Sequence, residues 1–162
     1  MKIALDVQYG DPISRVAGVL FQDWNDAVPH AEYTLEVTNI APYDSGSFYL
    51  REMPCLIALL AKVVEPIDLI IVDCFVDLEP GHPGTGRRLY EFFDRKIPVI
   101  GVAKTQYVNA QAQAISRHGT KVLYVGAAGV DSLAAAVDIL KMHGPYRIPT
   151  LLKRADSLAR KA

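Results

Sequence analysis

The sequence predicts an α/β fold with a mixed central sheet, an antiparallel meander plus parallel strands, and helices on both faces. Three observations support this fold. Residues 1–40 contain three successive strand candidates with short, turn-like connections, as an antiparallel meander does. Two later segments are near-continuous apolar runs of the kind found in strands that are buried on both faces. Segments with helical periodicity separate and follow those runs.

The meander is predicted from three successive strands with short connections. The first strand is "KIALDVQY", in which apolar residues alternate with others. Residues 10–12, Gly-Asp-Pro, have a turn composition and lead into "ISRVAGVLFQDW". The third strand, "EYTLEVTNI", also alternates. Strands this close in sequence pair with their neighbours in antiparallel order.

The next segments alternate between helix and buried strand. "REMPCLIALLAKVVE" is predicted to be an amphipathic helix, with Pro54 tolerated in its first turn. "DLIIVDCFV" follows as a central parallel strand. A Pro/Gly-rich loop, "EPGHPGTG", then leads to the helix "RRLYEFFDRK".

The last part of the chain completes the sheet. "PVIGVAK" and "KVLYVGA" are predicted to be further buried parallel strands. The helix "SLAAAVDILKMHG" has Ser132 as a plausible N-cap and shows four apolar residues on one face, namely Leu133, Ala136, Val137 and Leu140. "IPTLLKRADSLARK" is the final helix.

The predicted order is therefore β-β-β-α-β-α-β-β-α-α. A mainly five-stranded mixed sheet satisfies this order under the right-handed crossover rule. The ribonuclease H-like architecture has the same order of elements. At 162 residues, the chain is expected to form a single domain over residues 1–162.

Composition limits the class of protein. Hydrophobic residues make up 51% of the chain, which is too apolar for disorder. No apolar run approaches the roughly 20 residues needed to cross a bilayer. We therefore expect a soluble, cytoplasmic protein without a membrane partner. Cys55 and Cys74 lack metal-ligand spacing, so we expect buried free thiols and, for any metal, oxygen ligands.

Charge is distributed unevenly along the chain. The formal net charge is −1, which argues against a generally basic nucleic-acid binder. Residues 141–162 carry six Lys or Arg against one Asp, giving +5, so residues 1–140 carry −6. The basic segment could contact phosphates or could simply be a solvated helix end.

Three carboxylates occupy positions that suggest chemistry. Asp6 interrupts the apolar first strand, Asp73 ends an apolar strand, and Glu52 opens the first predicted helix. Both strands must be central, so these side chains can meet at one edge of the sheet. Crowded carboxylates repel unless a cation neutralises them, and oxygen ligands select Mg²⁺ or Mn²⁺. The alternatives are structural: a helix-dipole partner for Glu52 and a turn cap for Asp73.

These residues lie within motifs that resemble the endonuclease V family. The family motif Pro-Tyr-Ile-Pro-Gly, followed by Phe-Arg-Glu and a helix, is similar to "PYDSGSFYLREMPCLIALL". Further resemblances extend over essentially the whole chain, and they are "LDVQY", "DLIIVDCFVDLEPGHPGTG", "PVIGVAKTQY", "GTKVLYVGAAGVDSLAAAVDIL" and "YRIPTLLKRAD". The resemblance implies a ribonuclease H-like fold and Mg²⁺-dependent cleavage of DNA or RNA near deaminated bases, notably inosine.

The resemblance also implies roles for individual residues. Asp6, Asp73 and Glu52 resemble the family's metal-binding and catalytic acids, and Lys104 resembles its active-site lysine, where a cation would stabilise the reacting phosphate. The loop "PYDSG" resembles the wedge that opens the strands around a lesion. The residues that would contact nucleic acid are Tyr9, Pro42, Tyr43 and Gly46.

The chain also departs from the family pattern. Gly129 stands where the family's active-site histidine would be expected, which indicates a site that has lost a functional group. Asp131 and Glu79 are extra carboxylates that could form a rearranged metal site. Asp44 in the wedge loop would repel phosphate.

The sequence therefore favours an endonuclease V-like nuclease with reduced or redirected activity. The alternatives are a catalytically inactive relative that binds nucleic acid, a nucleotide or a protein partner, and an enzyme acting on another phosphorylated substrate. A phosphate-loop interpretation of "GHPGTG" is disfavoured because no Gly-Lys-Ser/Thr follows it. The choice of DNA or RNA, the base recognised and the oligomeric state stay open.

Overall fold

The computed structural model describes residues 1–38, 40–45 and 47–161. The predicted meander is confirmed: β1 (Lys2–Gln8), β2 (Ile13–Phe21) and β3 (Ala31–Thr38) pair in antiparallel order. Strand β2 lies between the other two and is buried along most of its length. The outer strand β3 alternates between partly buried and exposed residues, as expected for a strand at the edge of a sheet with one face covered.

Two parallel strands continue the sheet from β1. Strand β4 (Leu69–Val72) pairs parallel to β1, and β7 (Val99–Ala103) pairs parallel to β4. Both are short runs of apolar residues buried on both faces, as predicted. The carboxyl ends of β1, β4 and β7 therefore lie at the same edge of the sheet. We call this the carboxyl edge.

The last strands correct the prediction of a third parallel strand. Strand β9 (Leu123–Ala128) runs antiparallel to β7, and β8 (Gln113–Ile115) pairs antiparallel with β9. The sheet has seven strands in the order β3-β2-β1-β4-β7-β9-β8, rather than mainly five. The reason is the connection between β7 and β9, which contains β8 and no described helix that could carry the chain back across the sheet. Burial on both faces does not by itself reveal the direction of a strand.

Four helices cover the two faces of the sheet. Helices α1 (Tyr49–Leu60) and α2 (Thr85–Phe92) pack on one face, together with Ile3 and Leu5 of β1. Helices α3 (Ser132–Lys141) and α4 (Thr150–Arg160) pack on the other face, together with Ala4. A small hairpin, β5 (Asp77–Glu79) and β6 (His82–Pro83), occupies the loop predicted before α2. None of the described helices is long and apolar enough to span a bilayer.

Helix α3 packs with a different face from the one that its large apolar residues suggest. Ala135, Ala136 and Ile139 are buried, whereas Leu133 is 62% exposed. Val137 and Leu140 are exposed as well. The small alanine side chains allow close approach of the helix to the sheet. Its N-cap is Asp131 rather than the predicted Ser132, since the Asp131 carboxylate accepts a hydrogen bond from the amide of Ala134 at 2.9 Å.

The prediction of buried free thiols is confirmed for Cys55 and, as to burial, only in part for Cys74. Cys55 and Cys74 are both free thiols. Cys55 is fully buried in the core beneath α1, and Cys74, just beyond β4, is partly buried. Burial raises the pKa of both thiols, so neither is activated as a nucleophile.

Candidate active site

The two predicted aspartates lie side by side at the carboxyl edge. Leu5 of β1 is in register with Val72 of β4, so Asp6 and Asp73 follow on neighbouring strands that are about 4.8 Å apart. Because side chains alternate along a strand, Asp6 points to the same face as Ala4, the face that α4 covers. Asp6 accepts a hydrogen bond from the amide of Val7 at 2.8 Å, which leaves the outer part of the carboxylate free to bind other groups.

Glu52 reaches the same place from the first turn of α1. Glu52 is only 5% exposed, and its Oε2 atom has no hydrogen-bond partner among the described residues. Burial, with contributions from Asp73 and Asp6, raises the pKa of Glu52 to about 8. Burial and then Asp73 raise the pKa of Asp6 to about 7. The three predicted carboxylates are therefore close enough to repel one another in a poorly solvated site.

Lys104, the predicted active-site cation, joins this group directly beyond β7. Its Nζ donates to Asp73 Oδ2 at 2.5 Å. Partial burial is the largest single effect and lowers the pKa of Lys104, but the hydrogen bond to Asp73 and the charges of Asp73, Asp6 and Asp156 together raise the pKa overall. The ammonium therefore stays charged and neutralises one member of the carboxylate group.

A fourth carboxylate, Asp156 on α4, was missed by the sequence reasoning. It is only 6% exposed and lies near enough to Asp6 to raise the pKa of that residue. It accepts hydrogen bonds from Lys153 Nζ at 2.7 Å and from Arg160 Nε at 2.7 Å. The segment was predicted to be a basic final helix and was included in the family resemblance, but its one acid was given no role. The signal in the sequence was the single acid of this segment, Asp156, which follows the buried residue Ala155 in the helix.

The four carboxylates, Asp6, Glu52, Asp73 and Asp156, form what we call the acidic cluster. As they stand, no three His, Cys, Asp or Glu side chains within residues 1–38, 40–45 and 47–161 are grouped closely enough to hold a metal ion. Two of these carboxylates are already paired with protein cations, since Lys104 neutralises Asp73 and the cations of α4 neutralise Asp156. The donor set nevertheless fits a hard divalent cation: all ligands are oxygens, one buried oxygen lacks a partner, and two acids have raised pKa values.

An aromatic cleft of about 440 Å³ opens beside Asp73 and Lys104. Its walls include five aromatic side chains, Tyr43, Phe48, Tyr49, Phe75 and Tyr107. Phe75 and Tyr107 lie 6.1 Å apart between ring centroids, and so do Tyr43 and Phe48. A planar ring entering the cleft would meet aromatic surface next to the acidic cluster.

The other predicted nucleic-acid contacts occupy different surroundings. Tyr43 is 66% exposed, and Pro42 beside it is also exposed. Tyr9 is enclosed, because the Arg51 guanidinium lies 4.1 Å from its ring centroid and its hydroxyl is buried without a described partner. The structure therefore leaves Tyr43 as the accessible aromatic of this loop. Gly46 lies outside the described residues.

Position 129 is remote from the acidic cluster, which corrects the interpretation of an emptied site. Ala128 pairs with Val99, at the start of β7, because β9 is antiparallel. Gly129 therefore lies at the edge opposite to the carboxyl edge, where a Cβ atom would meet Tyr90 Cε2 at 2.7 Å. A histidine at this position would not reach Asp73, so its absence removes nothing from the acidic cluster.

The two extra carboxylates do not join the cluster. Asp131 caps α3 at the same remote edge as Gly129. Glu79 lies on β5, where its Oε1 contacts His82 Nδ1 at 3.1 Å. Neither residue is among the groups that shift the pKa of Asp6 or Glu52. The arrangement gives no support to a rearranged metal site built on these two residues.

Sequence comparison identifies the relatives of this chain. The family model for endonuclease V matches residues 3–128. Endonuclease V of a Nostoc species is 29% identical over 140 residues, which is 73% of this chain. The chain covers 62% of the length of that relative.

Solved structures extend the similarity over nearly the whole chain. Endonuclease V of Streptomyces avermitilis superposes with a TM-score of 0.82 at 27% identity, covering 98% of this chain and 78% of that one. Endonuclease V of Ciona intestinalis, in complex with a DNA that contains an inosine followed by a ribo-adenosine, has a TM-score of 0.79 at 20% identity. That superposition covers 98% of this chain and 84% of the Ciona chain. The ribonuclease H-like fold predicted from the order of elements is thereby confirmed.

Proposed function

The chain belongs to the endonuclease V family, and on that premise we propose that it hydrolyses phosphodiester bonds in inosine-containing or otherwise modified nucleic acid, with Mg²⁺ or Mn²⁺ as cofactor. The observation that carries the proposal is the acidic cluster at the carboxyl edge, with Lys104 beside it. Ligand sites in open α/β sheets lie at this edge.

The acidic cluster would hold the cofactor through Asp6, Asp73, Glu52 and Asp156. When bound, a divalent cation would lower the pKa of a water and stabilise charge on the phosphate. The protein's own part is to hold the carboxylates together in a partly dry site and to release Asp73 from Lys104. The raised pKa values of Asp6 and Glu52 support this role, since a cation would relieve their mutual repulsion.

Lys104 is the second functional group of the proposed site. Its charged ammonium, freed from Asp73, would offset negative charge that develops on the phosphate or the leaving oxygen. The side chain is partly buried, which strengthens such an interaction relative to bulk water. We therefore assign Lys104 to electrostatic stabilisation rather than to proton abstraction, because its pKa is raised.

The aromatic cleft is the proposed site for an unstacked base. A nuclease that recognises a base must turn it out of the stack, and aromatic side chains offer a surface on which it can lie. Tyr43 and Tyr107 line the cleft and are both exposed, and Phe75 also lines it. The cleft adjoins Asp73 and Lys104, so a bound base would bring neighbouring phosphates to the acidic cluster. Inosine is proposed because the Ciona relative binds inosine-containing DNA.

Cleavage of end-labelled oligonucleotides tests the proposal. Single- and double-stranded DNA and RNA, each with and without one inosine, are incubated with the protein in Mg²⁺ and then in Mn²⁺. We expect metal-dependent cutting of inosine-containing strands that is lost in EDTA and in the Asp73→Asn variant.

The outcomes separate the alternatives. Binding without cutting by the folded protein would favour a catalytically inactive nucleic-acid-binding relative. Phosphate release from free nucleotides without strand scission would instead indicate another phosphorylated substrate. Cutting that persists unchanged in Asp73→Asn would contradict the assignment of the site.

A further inference from the structure

Helix α4 carries two arginines that use their guanidinium groups differently. Arg154 donates to both carboxylate oxygens of Glu32, from Nε at 2.6 Å and from Nη2 at 2.9 Å. Arg160 donates only from Nε, to Asp156 at 2.7 Å. Within the described part of the chain, the Nη groups of Arg160 donate to no protein acceptor. Its side chain is 62% exposed, so these donors face solvent.

Arg160 lies at the rim of the acidic cluster. It holds Asp156, which is buried beneath α4 and acts on Asp6. Asp6 and Asp73 also act on Arg160 and contribute to raising its pKa. Helix α4 packs over β1 and β2, whereas Lys104 follows β7 on the far side of β4. The two central aspartates of the cluster therefore have cations on both sides, Lys104 beyond β7 and the cations of α4.

We propose that Arg160 binds a backbone phosphate of the nucleic acid next to the phosphate that is cleaved. This inference rests on the proposed nuclease function. A strand that enters the acidic cluster brings several negative charges towards four carboxylates, and fixed cations must offset the repulsion. A guanidinium can keep one donor on Asp156 while two others hold a phosphate, which a lysine ammonium does less well.

A purely structural explanation must be separated from this role. An Arg four residues after an Asp on a helix is a common ion pair that stabilises an exposed helix slightly. Arg160 could also act only by holding Asp156, a role that Lys153 shares. Both explanations predict effects on stability or on the metal requirement, and neither predicts an effect on nucleic-acid binding without metal.

Fluorescence anisotropy in EDTA, with a labelled inosine-containing strand that the wild-type protein cuts, provides the test. Three matched variants are compared after their folding is checked by circular dichroism: Arg160→Gln, Arg154→Gln and Lys153→Gln. We expect Arg160→Gln to weaken binding roughly fivefold at moderate salt and to reduce the slope of log K against log salt by about one. Arg154→Gln and Lys153→Gln should stay within about twofold of wild type, and Arg160→Lys should recover part of the loss.

Cleavage kinetics complete the test. With substrate and Mg²⁺ both saturating, the KM of Arg160→Gln should rise by a larger factor than its cleavage rate falls, because the residue holds the strand rather than the reacting atoms. An equal loss of binding in Arg154→Gln would show a general effect of charge and overturn the proposal. Wild-type binding by Arg160→Gln, together with a higher Mg²⁺ requirement shared by Lys153→Gln, would show that Arg160 acts only on Asp156. If the wild-type protein neither binds nor cuts any strand, the proposed function fails, and this inference fails with it.

Discussion

The two edges of the central sheet look alike in sequence but differ in the structure. At the carboxyl edge, loops after β1, β4 and β7 hold Asp6, Asp73 and Lys104. At the opposite edge, the loop after β9 holds Gly129 and Asp131. Each loop follows a buried apolar strand. The acidic cluster, Lys104 and the aromatic cleft lie at the first edge.

Strand direction decides which loops lie together at one edge of the sheet. Val99 pairs with Ala128 and Ala103 pairs with Tyr124, so β9 ends where β7 begins. The four residue steps along β7 separate the two edges by about 13 Å. A side chain at position 129 or 131 therefore belongs to another part of the molecule, whatever its chemistry.

We expect the largest difference in cleavage activity when the same substitution, Asp to Asn, is made at each of the two edges. Asp73→Asn removes one negative oxygen from the acidic cluster and should reduce cleavage to background, because neutral amides are poor ligands for a divalent cation. Asp131→Asn should leave cleavage within about twofold of wild type, and the stability as well, because Asn is an equally good N-cap. Single-turnover cleavage of an inosine-containing strand measures both variants.

Matched unfolding curves must accompany that comparison. Asp73→Asn loses the ion pair with Lys104 but relieves repulsion with Asp6 and Glu52, so its stability without metal should stay within about 1 kcal/mol of wild type. Loss of cleavage in both variants would contradict the separation of the two edges.

The second prediction concerns pH and applies to the carboxyl edge alone. Burial, together with neighbouring carboxylates, raises the pKa of Asp6 to about 7 and that of Glu52 to about 8. A divalent cation must displace these protons, so the affinity for Mg²⁺ should rise by more than about tenfold between about pH 6 and pH 8. Isothermal titration at fixed ionic strength measures this dependence, and Asp131→Asn should reproduce the wild-type curve.

Stability without metal should depend on pH in the opposite sense. An acid with a raised pKa in the folded state binds more protons when folded than when unfolded. The free energy of unfolding should therefore fall as pH rises from about 4 towards 8, and Mg²⁺ should restore part of it at the higher pH. Urea unfolding at several pH values checks this sign, and an Mg²⁺ affinity independent of pH would contradict the assignment of Asp6 and Glu52.

Much of the fold could be predicted from the sequence, because hydrophobic periodicity reports burial directly. The meander and the parallel strands β4 and β7 were identified in this way. The direction of β9 could not be found, because a strand buried on both faces has the same pattern in either direction. The packing of α3 could not be predicted either, because small alanines face the sheet and Leu133 faces outward.

The candidate site was predictable where charge interrupts an apolar segment. Asp6 and Asp73 were found because each breaks or ends a buried strand, and Lys104 through the resemblance to a family motif. Asp156 was missed because its neighbours are basic and its burial depends on how α4 packs on the sheet. Gly129 was predicted to lie in the site from its resemblance to a family motif. Such a resemblance carries no information about the edge of the sheet at which a residue lies.

The third prediction concerns a histidine introduced at position 129, where the family resemblance leads one to expect it. Gly129→His should lower the free energy of unfolding by about 2 kcal/mol or more, because Gly129 has a φ of +84° and little space. A Cβ atom there would approach Tyr90 Cε2 to 2.7 Å and Pro98 Cα to 3.2 Å. Cleavage rate and Mg²⁺ affinity should not rise. Urea unfolding and metal titration measure the two effects.

Gly119 offers a matched control for that variant. Its φ is +82°, and a Cβ atom would meet nothing within 4 Å. Gly119→His should therefore show the backbone penalty of about 1 kcal/mol without the steric part. A Gly129→His protein that is as stable as wild type and binds Mg²⁺ more tightly would restore the interpretation of an emptied site.

The smallest expected effect tests whether Asp131 is a metal ligand or a helix cap. Its carboxylate accepts a hydrogen bond from the amide of Ala134 at 2.9 Å, so Asp131→Ala should lower the free energy of unfolding by about 1 kcal/mol. Asp131→Asn should keep most of that stability, because its amide oxygen can accept the same bond. Mg²⁺ affinity should be equal in both variants and in wild type. A tenfold weaker affinity in Asp131→Ala alone would mean that the opposite edge reaches the metal site after all, and the separation of the two edges would then have to be abandoned.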